Sequence, residues 1–91
     1  MFVLMTYDVD VRRDGRALKT ARRYLRRVQN SVFEGELTPA GLAALKADMG
    51  RVLDLESDSV LFYTWRTMKS ASIEFIGPGT GYGTGKAINF I

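Results

Sequence analysis

Asp8 and Asp10 stand where an apolar run, Met1–Met5, gives way to polar residues in a chain of 91 residues. The chain has neither histidine nor cysteine. Without histidine it lacks the commonest general base and the commonest transition-metal ligand. Without cysteine it has no disulfide framework and no thiolate metal site. What remains is hard-cation chemistry on oxygen ligands, with magnesium, manganese or calcium as the natural ions. Asp8 closes an apolar stretch at the place where open α/β sheets tend to set their chemistry, the C-terminal end of a central strand. Taken alone, it more simply ends the strand or starts a turn. Asp10 lies on the same strand face, as a helper to Asp8 or, more simply, as a solvated turn residue.

Basic side chains follow at once. Residues 12–27 contain eight of the thirteen lysines and arginines against one acid, Asp14, a local charge of +7; the remainder carries −4 and the whole chain +3. This asymmetry suits a polyanion, and its simpler reading is a well-solvated helix face. Arg12, Arg13, Arg16, Lys19 and Arg23 are the candidate phosphate contacts. Such contacts position a nucleic acid without reading its bases, so binding is expected to be independent of sequence.

The elements that must hold these residues can be read from periodicity. Met1–Asp10 is apolar on both alternating faces and predicts a central strand covered on both sides. A polar connection follows, in which Asp14 can cap a helix. Ala17, Leu18, Ala21, Tyr24, Leu25 and Val28 share one helical face and the basic residues the other. Arg27–Leu37 alternates as a strand, either one bent strand or a tight pair. Thr38-Pro39 starts a second helix, with Leu42, Leu45, Met49, Val52 and Leu53 as its stripe, ending in the acidic LESDS. Val60–Trp65 is a second strand apolar on both faces; Arg66–Ser72 reads as a polar connection and Ile73–Ile76 as a further strand.

The order predicts an α+β protein, a ferredoxin-like βαββαβ sandwich over residues 1–76. Residues 77–91 form a glycine-rich C-terminal arm with a short terminal strand. Two helices cover one face of such a sheet, yet two strands are apolar on both. A two-fold partner is the economical cover, so a homodimer is expected. The C-terminal strands are then candidates to pair with an edge of the partner. No targeting signal or membrane span is visible, and the expected location is cytoplasmic.

Two attractive patterns fail on spacing. In GPGTGYGTGK a phosphate-binding loop needs glycine where Thr80 stands and serine or threonine where Ala87 stands, and G-x-G-x-x-G is absent. Phe33, Tyr63 and Trp65 lack the glycine-aromatic signature of an RNA-recognition motif and are assigned to core or dimer packing.

The strand ending in Tyr7-Asp8-Val9, the basic helix, and then Gln29-Asn30-Ser31-Val32-Phe33-Glu34-Gly35 resemble the CRISPR-associated protein two family, over roughly residues 1–76. The Tyr-Asp-Val triplet is a weak sign by itself; QNSVFEG at its distance behind the Asp strand is specific. Leu25 is a departure, because many relatives have a glycine between helix and strand. The resemblance implies a homodimer in which two copies of Asp8 face each other across a divalent-metal site holding Mg2+ or Mn2+, with Asp8 as catalytic residue and metal ligand. It implies an endonuclease on RNA or double-stranded DNA in CRISPR spacer acquisition, and a scaffold joined to the CRISPR integrase subunit. Ser31 and Phe33 match family positions of structural or site-supporting role. The alternatives are a non-catalytic DNA-binding scaffold, or an RNA-cleaving toxin-type ribonuclease of similar fold.

Overall fold

A computed structural model describes residues 1–67 and 70–76. Seven elements follow in order: β1 (Phe2–Asp8), α1 (Val11–Arg22), β2 (Arg26–Gln29), β3 (Val32–Glu36), α2 (Pro39–Val52), β4 (Ser59–Thr67) and β5 (Ser70–Ile76). The strands form one antiparallel sheet in the order β2-β3-β1-β4-β5. The first four strands with their two helices make the expected ferredoxin-like α+β sandwich, and β5 is the additional strand, on the edge beyond β4. It pairs with β4 of its own chain. The expected glycine-rich arm and terminal strand, 77–91, lie outside the described residues.

β1 is central because both its neighbours need it. Met5 pairs with Phe33 on one side and Phe62 on the other. Alternation sends Val3, Met5 and Tyr7 to the helix side, where they join Phe33, Val60, Phe62, Leu42, Leu45 and Met49 in the core. Leu4, Thr6 and Asp8 point to the opposite face, together with Leu61, Tyr63 and Trp65 of β4. No element among the described residues covers that second face. Phe2 remains 37% exposed there, its ring 5.7 Å from that of Trp65, and Tyr63 stacks on Trp65 at 6.3 Å. The Arg26–Glu34 ion pair spans β2 and β3 at the polar end of this face.

α1 is shorter than its wheel suggests. Ala17 and Ala21 are fully buried and Leu18 is partly buried, so the predicted face is the packed one. The helix nevertheless stops at Arg22: the Leu25 N–H makes a last helical bond to the Ala21 carbonyl, and Leu25 itself is buried in the core. The backbone of 26–29 is then taken up by pairing with β3. Val28, counted on the helix face, lies on the edge strand and is half exposed. Tertiary pairing has overridden helical periodicity. Leu25 is accommodated by Gly35, where an added Cβ would come within 3.1 Å of the leucine Cδ2.

Arg27–Leu37 resolves into a tight pair, with Asn30 at the turn. Its φ of 22° is the one positive value at a non-glycine among the described residues, and asparagine is among the side chains that tolerate it. α2 begins as predicted, the Thr38 hydroxyl accepting from the Gly41 N–H at 3.0 Å with Pro39 at the first turn. The cap of α1 is different: Asp10, not Asp14, stands at its N-terminus, and Asp14 lies one turn inside. The connection expected over Arg66–Ser72 is also replaced, since β4 runs to Thr67 and β5 starts at Ser70. No helix among the described residues is long and apolar enough to cross a membrane.

Candidate functional site

Asp8 is the last residue of β1, opposite Ser59 of β4, and its side chain is exposed on the uncovered face. Among the described residues no hydrogen bond or ion pair engages its carboxylate. It opens onto a polar depression of about 260 Å³ whose wall includes Tyr7, Asp14, Arg27, Asn30 and Ser31. Three elements build this wall: the end of β1, the first turn of α1 and the β2–β3 hairpin, which gives Arg27 from β2 and Asn30 and Ser31 from the turn. The turn is held in place by the Tyr7 N–H on the Ser31 carbonyl at 3.1 Å and by Arg27 Nε on the Asn30 carbonyl at 2.9 Å. An arginine beside a free carboxylate in a polar recess is suited to a phosphate bridged to a cation.

The other residues singled out from sequence divide into two groups. Ser31 is at the depression. Phe33 lies under it, wholly buried and stacked on Tyr7 with ring centroids 5.7 Å apart, so it supports the floor and touches no solvent. Burial, with Asp14 adding to it, pushes the Tyr7 hydroxyl above its ordinary pKa. Arg16 and Lys19 stand exposed along the outer face of α1. Asp10 is not on the strand face of Asp8; its carboxylate caps α1, accepting from the Arg12 N–H and Nε, both at 2.9 Å. These bonds from Arg12 hold its pKa down to about 2. Arg23 pairs with Asp48 of α2, which also accepts from the Tyr24 hydroxyl and from Arg51. Arg13, expected among the phosphate contacts, points inward to Asp58 instead.

Asp58 is the residue that pattern reading passed over. It sits in LESDS, read as an acidic helix end, yet its side chain is 1% exposed. Oδ2 accepts from Arg13 Nε at 2.5 Å and the Asp54 N–H at 2.9 Å. Oδ1 accepts from Arg13 Nη2 at 3.0 Å and the Asp10 N–H at 2.9 Å. The Arg13 bond leads in keeping its pKa far below the usual carboxylate range, against the opposing effect of burial. One sequence signal was present: of the three acids in Asp54–Asp58, Asp58 is the one nearest the apolar strand Val60–Trp65, two residues before it. Asp14, Arg27 and Asn30 were likewise not singled out as site residues, because only the hairpin brings Arg27 and Asn30 back to the end of β1.

The family profile of CRISPR associated protein Cas2 matches residues 1–73. This chain belongs to the Cas2 family. Among its curated relatives, the CRISPR-associated endoribonuclease Cas2 of Dictyoglomus turgidum is 46% identical over 85% of this chain and 88% of its own length. The protein of the same name from Thermotoga maritima is 44% identical over 89% and 93%. Solved structures agree: a Cas2 crystal structure superimposes with a TM-score of 0.66 at 39% identity, covering 94% of this chain and 90% of that one. Streptococcus pyogenes Cas2 does so at 0.66 and 38%, covering 71% and 86%. The Cas2 family assignment made from Tyr7-Asp8-Val9 and QNSVFEG thus holds across the whole sandwich.

Proposed function

We propose that this chain is a divalent-metal-dependent endonuclease of CRISPR spacer acquisition, acting on RNA or double-stranded DNA as a homodimer with one Asp8 from each protomer at its centre. The observation that carries this reading is a carboxylate with no partner among the described residues, at the end of the central strand, on the one sheet face left uncovered. The names of the curated relatives, CRISPR-associated endoribonucleases, support the reaction class.

The residues fit a hard cation held sparsely. No group of three or more acidic ligands capable of holding a metal occurs among the described residues of a single chain. Mg2+ needs only one or two carboxylates, keeping water and substrate phosphate as its other ligands. One Asp8 supplies the lower number and two copies across a dimer axis the upper. When bound, Mg2+ or Mn2+ supplies charge neutralisation at a non-bridging phosphate oxygen and makes a coordinated water more acidic. The chain's own part is to hold the substrate: Arg27 takes the phosphate in the depression, and Arg16 and Lys19 take backbone phosphates farther along α1. The same duplex-binding surface serves the scaffold role beside the CRISPR integrase subunit. Cleavage assays of wild type with and without Mg2+ or Mn2+ test the reading. A pure, dimeric protein that binds duplex and never cuts RNA or DNA leaves the scaffold alone as the function.

Two further outcomes belong to this reading. Leu4→Lys or Tyr63→Glu places a charge in the middle of the uncovered face and should leave a folded monomer in sedimentation, where wild type sediments as a dimer. A monomeric wild type at micromolar concentration removes the paired-Asp8 site. Arg16→Gln and Lys19→Gln together should flatten the plot of log affinity against log salt by about 1.8, at roughly 0.9 per duplex phosphate contact. An unchanged slope makes that helix face merely solvated.

A further inference from the structure

Asp58 is the only charged side chain among the described residues that is fully buried. Burying a carboxylate is unfavourable by several kcal/mol before its partners are counted, and a buried ion pair replaced as a whole by apolar residues of similar volume is often no less stable. Stability therefore gives no sufficient reason for an ion pair here, although removing one partner alone is costly. Its placement gives another. Asp58 is bonded to the N–H of Asp10, two residues beyond Asp8, and is joined by one peptide bond to Ser59, the cross-strand partner of Asp8. Its second oxygen closes the α2–β4 loop through the Asp54 N–H, and both oxygens grip the planar fork of Arg13 in the first turn of α1. All four donors converge on one group, and no buried side-chain polar atom among the described residues is left unsatisfied. The end of β1 is thus held from its own continuation and from its neighbouring strand by the same carboxylate.

We propose that the Asp58–Arg13 pair is a positioning device for Asp8: it sets where β1 ends and where α1 begins, and so where the Asp8 carboxylate stands relative to the depression and to its copy in a partner. This rests on Asp8 being the metal-binding carboxylate. The basic residues of α1 then divide by direction, Arg13 working inward through Asp58 while Arg16 and Lys19 face outward. Hydrogen-bond partners that orient a metal's carboxylate ligands typically change metal affinity or activity by about 10- to 100-fold when removed. A positioning pair of this kind acts on metal affinity and turnover and not on the capture of nucleic acid.

The test uses the full-length chain as wild type, Asp58→Asn, Arg13→Lys and Asp8→Asn. Asp58→Asn keeps the shape and an acceptor but loses the ion pair. Arg13→Lys keeps the charge but loses the two-pronged grip, and it serves should Asp58→Asn fail to fold. Mn2+ binding is followed by the electron spin resonance of the free ion, amide hydrogen exchange by NMR, and cleavage by separate kcat and KM. Expected for both latch variants are Mn2+ binding weaker by about 10-fold or more, kcat reduced by a similar factor, KM for nucleic acid within about twofold, and faster exchange at the Asp10 amide. Wild-type Mn2+ affinity and kcat in a folded latch variant, alongside lost Mn2+ binding in Asp8→Asn, overturn the positioning role alone. Undiminished Mn2+ binding in Asp8→Asn overturns the metal-ligand reading instead. The latch is then judged by exchange, where Asp10 and Ser59 amides as slow in Asp58→Asn as in wild type overturn it.

Discussion

Asp8→Asn is expected to lower metal-dependent cleavage by about 10³-fold while leaving the fold, the dimer and duplex binding as they are. The magnitude follows from the several kcal/mol that a metal ion contributes to a phosphoryl transition state, at about 1.36 kcal/mol per tenfold in rate. Asparagine keeps the shape of the side chain, and the aspartate it replaces makes no side-chain bond among the described residues, so folding has nothing to lose. Removing two like charges brought together across a two-fold axis should even favour the metal-free dimer. Cleavage by wild type should require Mg2+ or Mn2+, stop on addition of EDTA and resume on their return. It should rise with pH as water bound to the cation becomes ionised. A nuclease assay on highly purified protein, with denaturing gels of end-labelled RNA and duplex DNA, reads all of this. Full metal-dependent cutting by the Asp8→Asn protein would remove Asp8 from the site. Intact spacer acquisition with a non-cutting Asp8→Asn protein would make the scaffold the biological role.

Asp58→Ala should produce the largest loss of stability of any single charge replacement among the described residues, about 3 kcal/mol, or roughly 15 °C in Tm at fixed protein concentration. The alanine strands the Arg13 guanidinium and the N–H groups of Asp10 and Asp54 together, and unsatisfied donors near the interior are what make such deletions severe. Thermal melts followed by circular dichroism give the value; a loss under about 1 kcal/mol would mean that water replaces the carboxylate easily. The wild type should also be acid-sensitive in a definite window. The pKa of Asp58 is lowered in the folded chain, so the unfolded chain takes up its proton first as pH falls. The stabilisation is complete above the ordinary carboxylate value near 4 and disappears as pH drops toward the folded value. Asp10, held at about 2 by Arg12, titrates in the same direction. Asp58→Ala should therefore have a flatter stability profile below about pH 4 than wild type.

Local chemistry was enough to reveal much of this protein. Thr38-Pro39 marked the start of α2 correctly, because a threonine cap followed by proline is unambiguous locally, whereas the cap of α1 fell on Asp10 and not on Asp14. Strand burial is decided by alternation, so the two-sided strands expected at Met1–Asp10 and Val60–Trp65 are the paired strands Phe2–Asp8 and Ser59–Thr67 of the sheet. Asp8 by its position alone reads more simply as a strand end, and only the resemblance carried by QNSVFEG makes it a site candidate. The ends of elements and the partners of charges depended on contacts far apart in sequence. Whether residues 26–28 extend a helix or start a strand was settled by β3, whose unpaired edge gains hydrogen bonds only from a strand. Arg13 resembled its neighbours on a helical wheel, yet a carboxylate 45 residues later claims it. Asp58 looked like solvated loop because burial is a property of the assembled fold. A wheel or an alternation pattern reports which side of an element a residue occupies, and only the packed sheet and helices determine what meets it there.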